Sequence, residues 1–145
     1  VNTVAAEASC DIDIRYRDNE DRAEIFKKVR EICTKTSVDG TSSDMVIKGE
    51  FHPLNPSPQS AELFDLYVKI ADNNGFVVKG EHSGGCADSG FIANADTPVI
   101  CGVGPIGGNY HRPDEWMQID SLSVRAKFIA ETILKLATTP TKTGL

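Results

Sequence analysis

Residues 10–36 read CDIDIRYRDNEDRAEIFKKVREICTKT, and two hydrophobic periodicities follow one another in this stretch. From Cys10 to Arg17 every second residue is apolar, which is typical of a half-buried β-strand. From Glu20 to Thr36 the spacing is helical, and Asp18 or Asn19 stands where a helix cap is expected. The apolar residues of that helix are Ile25, Phe26, Val29, Ile32 and Cys33. The stretch therefore predicts a strand followed by an amphipathic helix.

The segment after this helix completes a β-α-β order. Asp44–Phe51 returns to strand-like composition, which predicts two strands in one sheet with the helix on one side. Residues 51–58, FHPLNPSP, contain three prolines, and proline interrupts both strands and helices. We therefore place an internal boundary in this proline-rich segment.

Strands and helices continue to alternate after the boundary. We expect helices at Pro58–Asn73, Ala87–Asn94 and Ser121–Ala137, and strands at Phe76–Glu81 and Pro98–Cys101. Helical periodicity predicts that the last helix buries Leu122, Ala126, Ile129, Ile133 and Leu136. The alternation predicts an α/β fold whose parallel or mixed sheet is covered by helices and binds ligands at the carboxyl ends of its strands.

Composition and charge narrow the class of function. The net charge is −6 and the basic residues are interspersed with acids, which argues against a nucleic-acid surface. No apolar run reaches the roughly 20 residues that span a bilayer, and four cysteines without a CxxC pair favour reduced thiols. The chain begins VNTVAAEASC, without the features of a signal peptide, which leaves the compartment open but favours the cytoplasm. We expect a small-molecule or peptide ligand and no membrane partner.

His111 has the context most suggestive of a metal ligand among the three histidines. It ends the glycine-rich stretch GPIGGNYH, residues 104–111, which delivers an imidazole to the rim of the predicted sheet. A lone histidine is nevertheless more often a hydrogen-bonded structural or surface residue. His52 lies in the proline-rich segment, and His82 has no partner at metal-ligand spacing.

The turn SGGCAD, residues 83–88, follows a predicted strand and precedes a predicted helix, so it could hold an anion or simply connect the two elements. It fits neither phosphate-binding fingerprint. Cys86 in this turn could act as a nucleophile with His82 or His111 as its base. Arg15 could anchor an acidic substrate through its guanidinium, or belong to a surface ladder of charges with its neighbour Asp13.

Four motifs stand in order along the chain: Asn2 with Arg15 thirteen residues later, SGGCADSGF, PVICGVGPIGGNYH and DEWMQIDSLSVRAKFIAETILKL. In these motifs the chain resembles the zinc-dependent carboxypeptidases and deacylases, which include glutamate carboxypeptidase, succinyl-diaminopimelate desuccinylase, acetylornithine deacetylase and aminoacylase. The resemblance implies a mixed α/β catalytic domain and an inserted α+β lid domain through which many such proteins form a homodimer. It assigns residues 1–52 to the later half of the lid and residues 53–145 to the C-terminal segment of the catalytic domain.

The same resemblance assigns roles to individual residues. His111 corresponds to the last zinc ligand, and no catalytic residue falls in this chain because the general base is expected upstream. The residues that correspond to substrate contacts are Asn2, Arg15, Gly84, Gly85, Cys86 and Asn109. At Cys86 and Ala87 the chain departs from relatives, which often carry hydroxyl-type residues there.

The activity implied by the resemblance is hydrolysis of an amide bond next to a free carboxylate, in an N-acyl amino acid or a short peptide. Two zinc ions roughly 3.5–4 Å apart activate a water in such sites. One imidazole is one of the four or five ligands that a zinc ion needs, so we expect this chain alone to bind zinc weakly or not at all and to be inactive. Two alternatives remain open, namely a non-catalytic dimerisation module and a hydrolase that uses Cys86.

Overall fold

The structure is a computed structural model that describes residues 2–138. It contains helices α1 (Asn19–Thr34), α2 (Pro58–Asn73), α3 (Ser89–Asn94) and α4 (Ile119–Thr138), and strands β1 (Gly107–Gly108) and β2 (Trp116–Met117). The chain divides into two compact units, with the boundary between Pro53 and Leu54. None of the helices in residues 2–138 is both long enough and apolar enough to cross a membrane. Helices with a small sheet are compatible with the expected mixed α/β class, whereas the lid and catalytic assignments stay predictions.

In the first unit, an ion pair ties α1 to the segment that follows it. The Arg22 guanidinium donates through both Nε and Nη2 to the Glu50 carboxylate, with 2.7 Å from Nη2 to Oε2. The Tyr16 hydroxyl donates to Oε1 of the same carboxylate at 2.7 Å. The guanidinium also lies over the Phe26 ring, 4.8 Å from its centroid. Because Arg22 and then Tyr16 donate hydrogen bonds to the ionised form, the pKa of Glu50 falls to about 2.

The strands predicted at Cys10–Arg17 and Asp44–Phe51 are wrong as hydrogen-bonded strands. Neither segment forms a backbone ladder within residues 2–138. Side chains join them instead, since Lys48 pairs with Asp11 and Tyr16 bonds to Glu50. The earlier residue of the first segment meets the earlier residue of the second, and the later residue meets the later one. The parallel strands of a β-α-β unit pair in this order. A ladder requires a partner backbone in register, and apolar alternation within one segment does not supply that partner.

In the second unit, α2 packs against α4 around two aromatic side chains. Tyr67 and Phe128 are each 1% exposed, and Ile70 and Ala71 complete the buried cluster. The Phe128 ring meets the rings of Tyr67 and Phe76 edge to face, with centroids 6.2 and 5.5 Å away. Edge-to-face contacts of this kind add to the stabilisation from buried area. This cluster is the hydrophobic core of the unit.

The buried face of α4 differs from the predicted one. Its buried residues are Ser121, Phe128 and Thr132, whereas four of the five predicted ones are exposed: Leu122, Ala126, Ile133 and Leu136. The remaining one, Ile129, packs against the core. The Thr132 hydroxyl donates to the Phe128 carbonyl at 2.7 Å, so its burial leaves no unsatisfied donor. The helix carries apolar residues on more than one face, and periodicity alone does not select which face is covered.

The remaining predicted elements of the second unit are partly confirmed. α2 has the predicted bounds, α3 begins two residues later than expected, and α4 begins two residues earlier. The strands predicted at Phe76–Glu81 and Pro98–Cys101 form no ladder within the described residues. Their apolar side chains still pack against the core, as Phe76, Val78 and Ile100 show. Periodicity therefore identified segments that cover the core but not their backbone pairing.

Candidate functional site

Two buried serines fix the segment that leads to His111. The Ser60 hydroxyl accepts a hydrogen bond from the Val99 backbone nitrogen at 3.0 Å. The Ser121 hydroxyl accepts one from the Ile106 backbone nitrogen at 2.8 Å. Ser60 and Ser121 are 2% and 3% exposed and lie in the first turns of α2 and α4. The segment from Val99 to Ile106 is therefore anchored to one helix at each end.

A short hairpin follows this anchored segment. Gly107 pairs with Met117 and Gly108 with Trp116, and the Gln118 backbone nitrogen extends the pairing by donating to the Ile106 carbonyl at 2.8 Å. A Cβ atom on Gly108 would lie 2.8 Å from Nε1 of Trp116, and one on Gly107 would lie 2.7 Å from the Trp116 carbonyl oxygen. The contact at Gly107 is with backbone, so it leaves no room for a side chain there. The contact at Gly108 is with the Trp116 indole, which is half exposed and would have to turn away.

The hairpin loop, residues 109–115, consists of two successive turns. The Arg112 backbone nitrogen donates to the Asn109 carbonyl at 3.1 Å, and the Glu115 nitrogen donates to the Arg112 carbonyl at 3.0 Å. Pro113 stands second in the later turn, where its fixed φ is favourable. His111 stands third in the earlier turn with φ 65°, a position that usually takes glycine or asparagine. The loop therefore holds His111 in the left-handed region of backbone conformation.

Side chains of the loop hold this backbone in place. The Asn109 amide nitrogen donates to Oδ2 of Asp114 at 2.9 Å, and Arg112 Nε donates to Oδ1 at 2.9 Å. The backbone nitrogen of His111 donates to the Glu115 carboxylate at 3.3 Å. All five residues are exposed. The loop is thus organised by its own polar groups, and it leaves His111 accessible at the surface.

The other predicted site residues lie in three places. Asn109 shares the loop with His111, and its amide nitrogen is engaged by Asp114. Gly84, Gly85 and Cys86 lie in the exposed turn before α3, where the Gly85 nitrogen bonds to the Ser83 hydroxyl at 3.1 Å. Asn2 and Arg15 are exposed in the first unit. The substrate roles assigned to these six residues stay predictions.

Arg15 pairs with its neighbour Asp13. The Nη2 atom of Arg15 lies 2.9 Å from Oδ2 of Asp13, and both side chains are exposed. This contact corresponds to the surface pairing considered for the polar face of residues 10–17. Exposed pairs of this type contribute about 0–1 kcal/mol, so Arg15 can exchange Asp13 for another carboxylate at little cost.

The residues described furnish one candidate ligand and no complete metal site. Among residues 2–138, no three His, Cys, Asp or Glu side chains lie close enough together to hold an ion. Zinc requires about four ligands, and the exposed imidazole of His111 supplies one nitrogen.

The Cys86 thiol makes no hydrogen bond to a base in the described part of the chain. All four cysteines are free, and Cys86 is exposed. No hydrogen bond joins its thiol to His82 or His111 within residues 2–138. A catalytic cysteine is expected to lie within hydrogen-bonding reach of its base. Nothing in this geometry favours the Cys86 hydrolase.

Three features of the loop were missed by sequence reasoning. The anchoring role of Ser121 and the contact between Gly108 and Trp116 leave no local signal in the sequence. Asp114 and Glu115 are adjacent in sequence, so their side chains point in different directions. The two side chains therefore have different partners. Asp114 bonds to Asn109 and Arg112. Glu115 bonds to the backbone nitrogen of His111.

Comparison with known proteins gives one match. The family model described as peptidase family M20/M25/M40 matches residues 17–135, which is more than half of the 145-residue chain. Neither the curated proteins nor the solved structures contain a match to the chain. The matched range includes the whole hairpin and its anchoring serines, and it begins after Asn2 and Arg15.

Proposed function

The chain belongs to peptidase family M20/M25/M40, a family of hydrolytic metallopeptidases, and on this premise we propose that the protein containing it is a zinc-dependent amidohydrolase. It cleaves an amide bond next to a free carboxylate, in an N-acyl amino acid or a short peptide. The observation that carries the proposal is the family match over residues 17–135, which runs through the His111 hairpin. Zinc, the amide bond that is cleaved and the class of substrate go beyond this match and are part of the proposal.

Within this proposal, His111 is one zinc ligand. Zinc, when bound in such enzymes, polarises the scissile carbonyl and lowers the pKa of a bound water. Other residues of the longer protein supply the remaining zinc ligands and the general base. They also hold a second zinc ion. The support from this chain comes from the hairpin. It leaves the His111 imidazole exposed, and Ser121 anchors the base of its loop.

The proposal assigns substrate contacts to six residues. Arg15 binds the substrate carboxylate, because a guanidinium offers two parallel donors to a carboxylate. In the structure its Nε and Nη2 atoms both donate to one oxygen of the exposed Asp13 carboxylate, Oδ2. The other proposed substrate-contacting residues are Asn2, Gly84, Gly85, Cys86 and Asn109. Residues 1–52 form part of a lid through which two copies associate as a homodimer.

The test is hydrolysis by a longer protein that includes the upstream half. We expect release of amino acids from a panel of N-acyl amino acids and dipeptides, with loss of activity after chelation and recovery on addition of zinc. His111→Ala should abolish this activity, whereas the matched control His82→Ala, at another exposed histidine, should retain it. Absence of chelator-sensitive hydrolysis across the whole panel would refute the proposal.

A further inference from the structure

The backbone conformation of His111 needs support from another residue. A φ of 65° is left-handed, a region in which a non-glycine residue is strained. Histidine visits this region more often than most residues, but an isolated loop would still relax toward negative φ. The described contacts must therefore include one that favours the observed conformation at His111 itself.

Glu115 makes that contact. Its carboxylate Oε2 accepts the His111 backbone N–H at 3.3 Å, and its own backbone nitrogen donates to the Arg112 carbonyl at 3.0 Å. The same residue thus closes the later turn through its backbone and reaches back to the earlier turn through its side chain. An ionised acceptor gives a stronger hydrogen bond than a neutral one.

Asp114 does not duplicate this role. Its carboxylate binds the Asn109 amide and the Arg112 guanidinium, each at 2.9 Å, and neither contact involves the His111 backbone. Asp114 binds the side chains at the two ends of the first turn, one of which, Asn109, also has a left-handed φ of 58°. Glu115 contacts the backbone nitrogen of His111 itself. The adjacent carboxylates therefore have separate functions within one loop.

We propose that Glu115 is a positioning residue for His111. By accepting the His111 N–H it holds the left-handed backbone and so fixes the direction in which the imidazole leaves the loop. The expected effect on zinc binding rests on the proposed function, because the direction of the imidazole matters only when it binds zinc. The backbone effect itself requires no metal.

The first measurement is amide hydrogen exchange at His111 in the 145-residue chain without metal. Glu115→Ala should speed exchange at this amide several-fold, whereas Glu115→Gln, which keeps a carbonyl acceptor, should restore most of the protection. Glu81→Ala is the matched control, because Glu81 is an exposed glutamate of the same unit. Emission from Trp116, the only tryptophan of the sequence, reports whether each variant retains the hairpin.

The second measurement is zinc affinity in the longer protein, by competition with a chromophoric chelator. We expect Glu115→Ala to weaken binding about 10–100-fold, the range found for residues that orient metal ligands, and Glu115→Gln to recover most of it. Wild-type values in both measurements for Glu115→Ala would overturn the inference. If the amide responds but His111→Ala leaves zinc affinity unchanged, the inference about the backbone stands and the proposed function fails.

Discussion

The Ser121 hydroxyl accepts the Ile106 backbone N–H at 2.8 Å and donates its own proton to the Gln118 carbonyl at 2.6 Å. Ile106 immediately precedes β1 and Gln118 immediately follows β2. One buried side chain therefore joins both ends of the hairpin to the first turn of α4. The position of the His111 loop depends on this junction, because the loop has no other strand beside it within the described residues.

Replacing Ser121 tests the junction. Ser121→Ala leaves the Ile106 N–H without its acceptor in a buried place, which should lower the free energy of unfolding by about 1–3 kcal/mol. Ser123→Ala, on the exposed side of the same helix, should change it by less than about 0.5 kcal/mol. Urea unfolding of the 145-residue chain measures both. Equal effects of the two variants would show that the junction adds no stability.

Adding a methyl group at Gly108 should displace the Trp116 indole. The new Cβ would lie 2.8–3.0 Å from three atoms of this half-exposed ring, which must turn away to make room. We expect Gly108→Ala to shift Trp116 emission. Gly104→Ala is the control, because no atom lies within 4 Å of its Cβ. Unchanged emission in Gly108→Ala would contradict the close contact.

The first unit should lose stability in acid. The pKa of Glu50 is about 2 in the folded state and near 4.5 without its partners, so the unfolded chain binds the extra proton. Its contribution is complete above about pH 5 and is lost as the pH falls toward 2. Amide exchange of α1 as a function of pH should show this loss, and Glu50→Gln should remove it.

Glu24 provides the control for this acid dependence. It pairs with Lys28 on the exposed surface of α1, and solvent screens pairs of that kind. Glu24→Gln should therefore leave the acid dependence of α1 nearly as it is in the unchanged chain. If Glu50→Gln and Glu24→Gln behave alike, the Arg22–Glu50 pair does not hold α1 to the following segment.

The observed face of α4 can be tested by truncation. Phe128→Ala removes a ring that is 1% exposed and should cost about 3–5 kcal/mol. Ile133→Ala lies on the face that sequence periodicity selected, but this side chain is 60% exposed, so the expected change is below about 0.5 kcal/mol. Urea unfolding followed by far-UV circular dichroism compares them. A larger effect at Ile133 would mean that the predicted face is the packed one.

Residue types and their order select His111 as a candidate ligand, and its role stays a prediction. His111 was singled out from its glycine-rich context and from the motif order, and the family match covers the same stretch. Its loop could not be foreseen in detail, because the roles of Asp114 and Glu115 depend on which turn each carboxylate reaches. Two adjacent acids look equivalent in a sequence and acquire different partners only when the chain folds.

The sequence by itself determined where the helices lie and that the proline-rich segment interrupts the chain, because helical periodicity, caps and proline act within a few residues. Tertiary structure alone decided that α4 buries Ser121, Phe128 and Thr132, that the predicted strands lack backbone partners within residues 2–138, and that the Trp116 carbonyl leaves no room for a Cβ at Gly107. Each of these depends on a contact between residues distant in the chain or across a turn. A local pattern can show that a face is apolar, but only the partner decides whether it is buried.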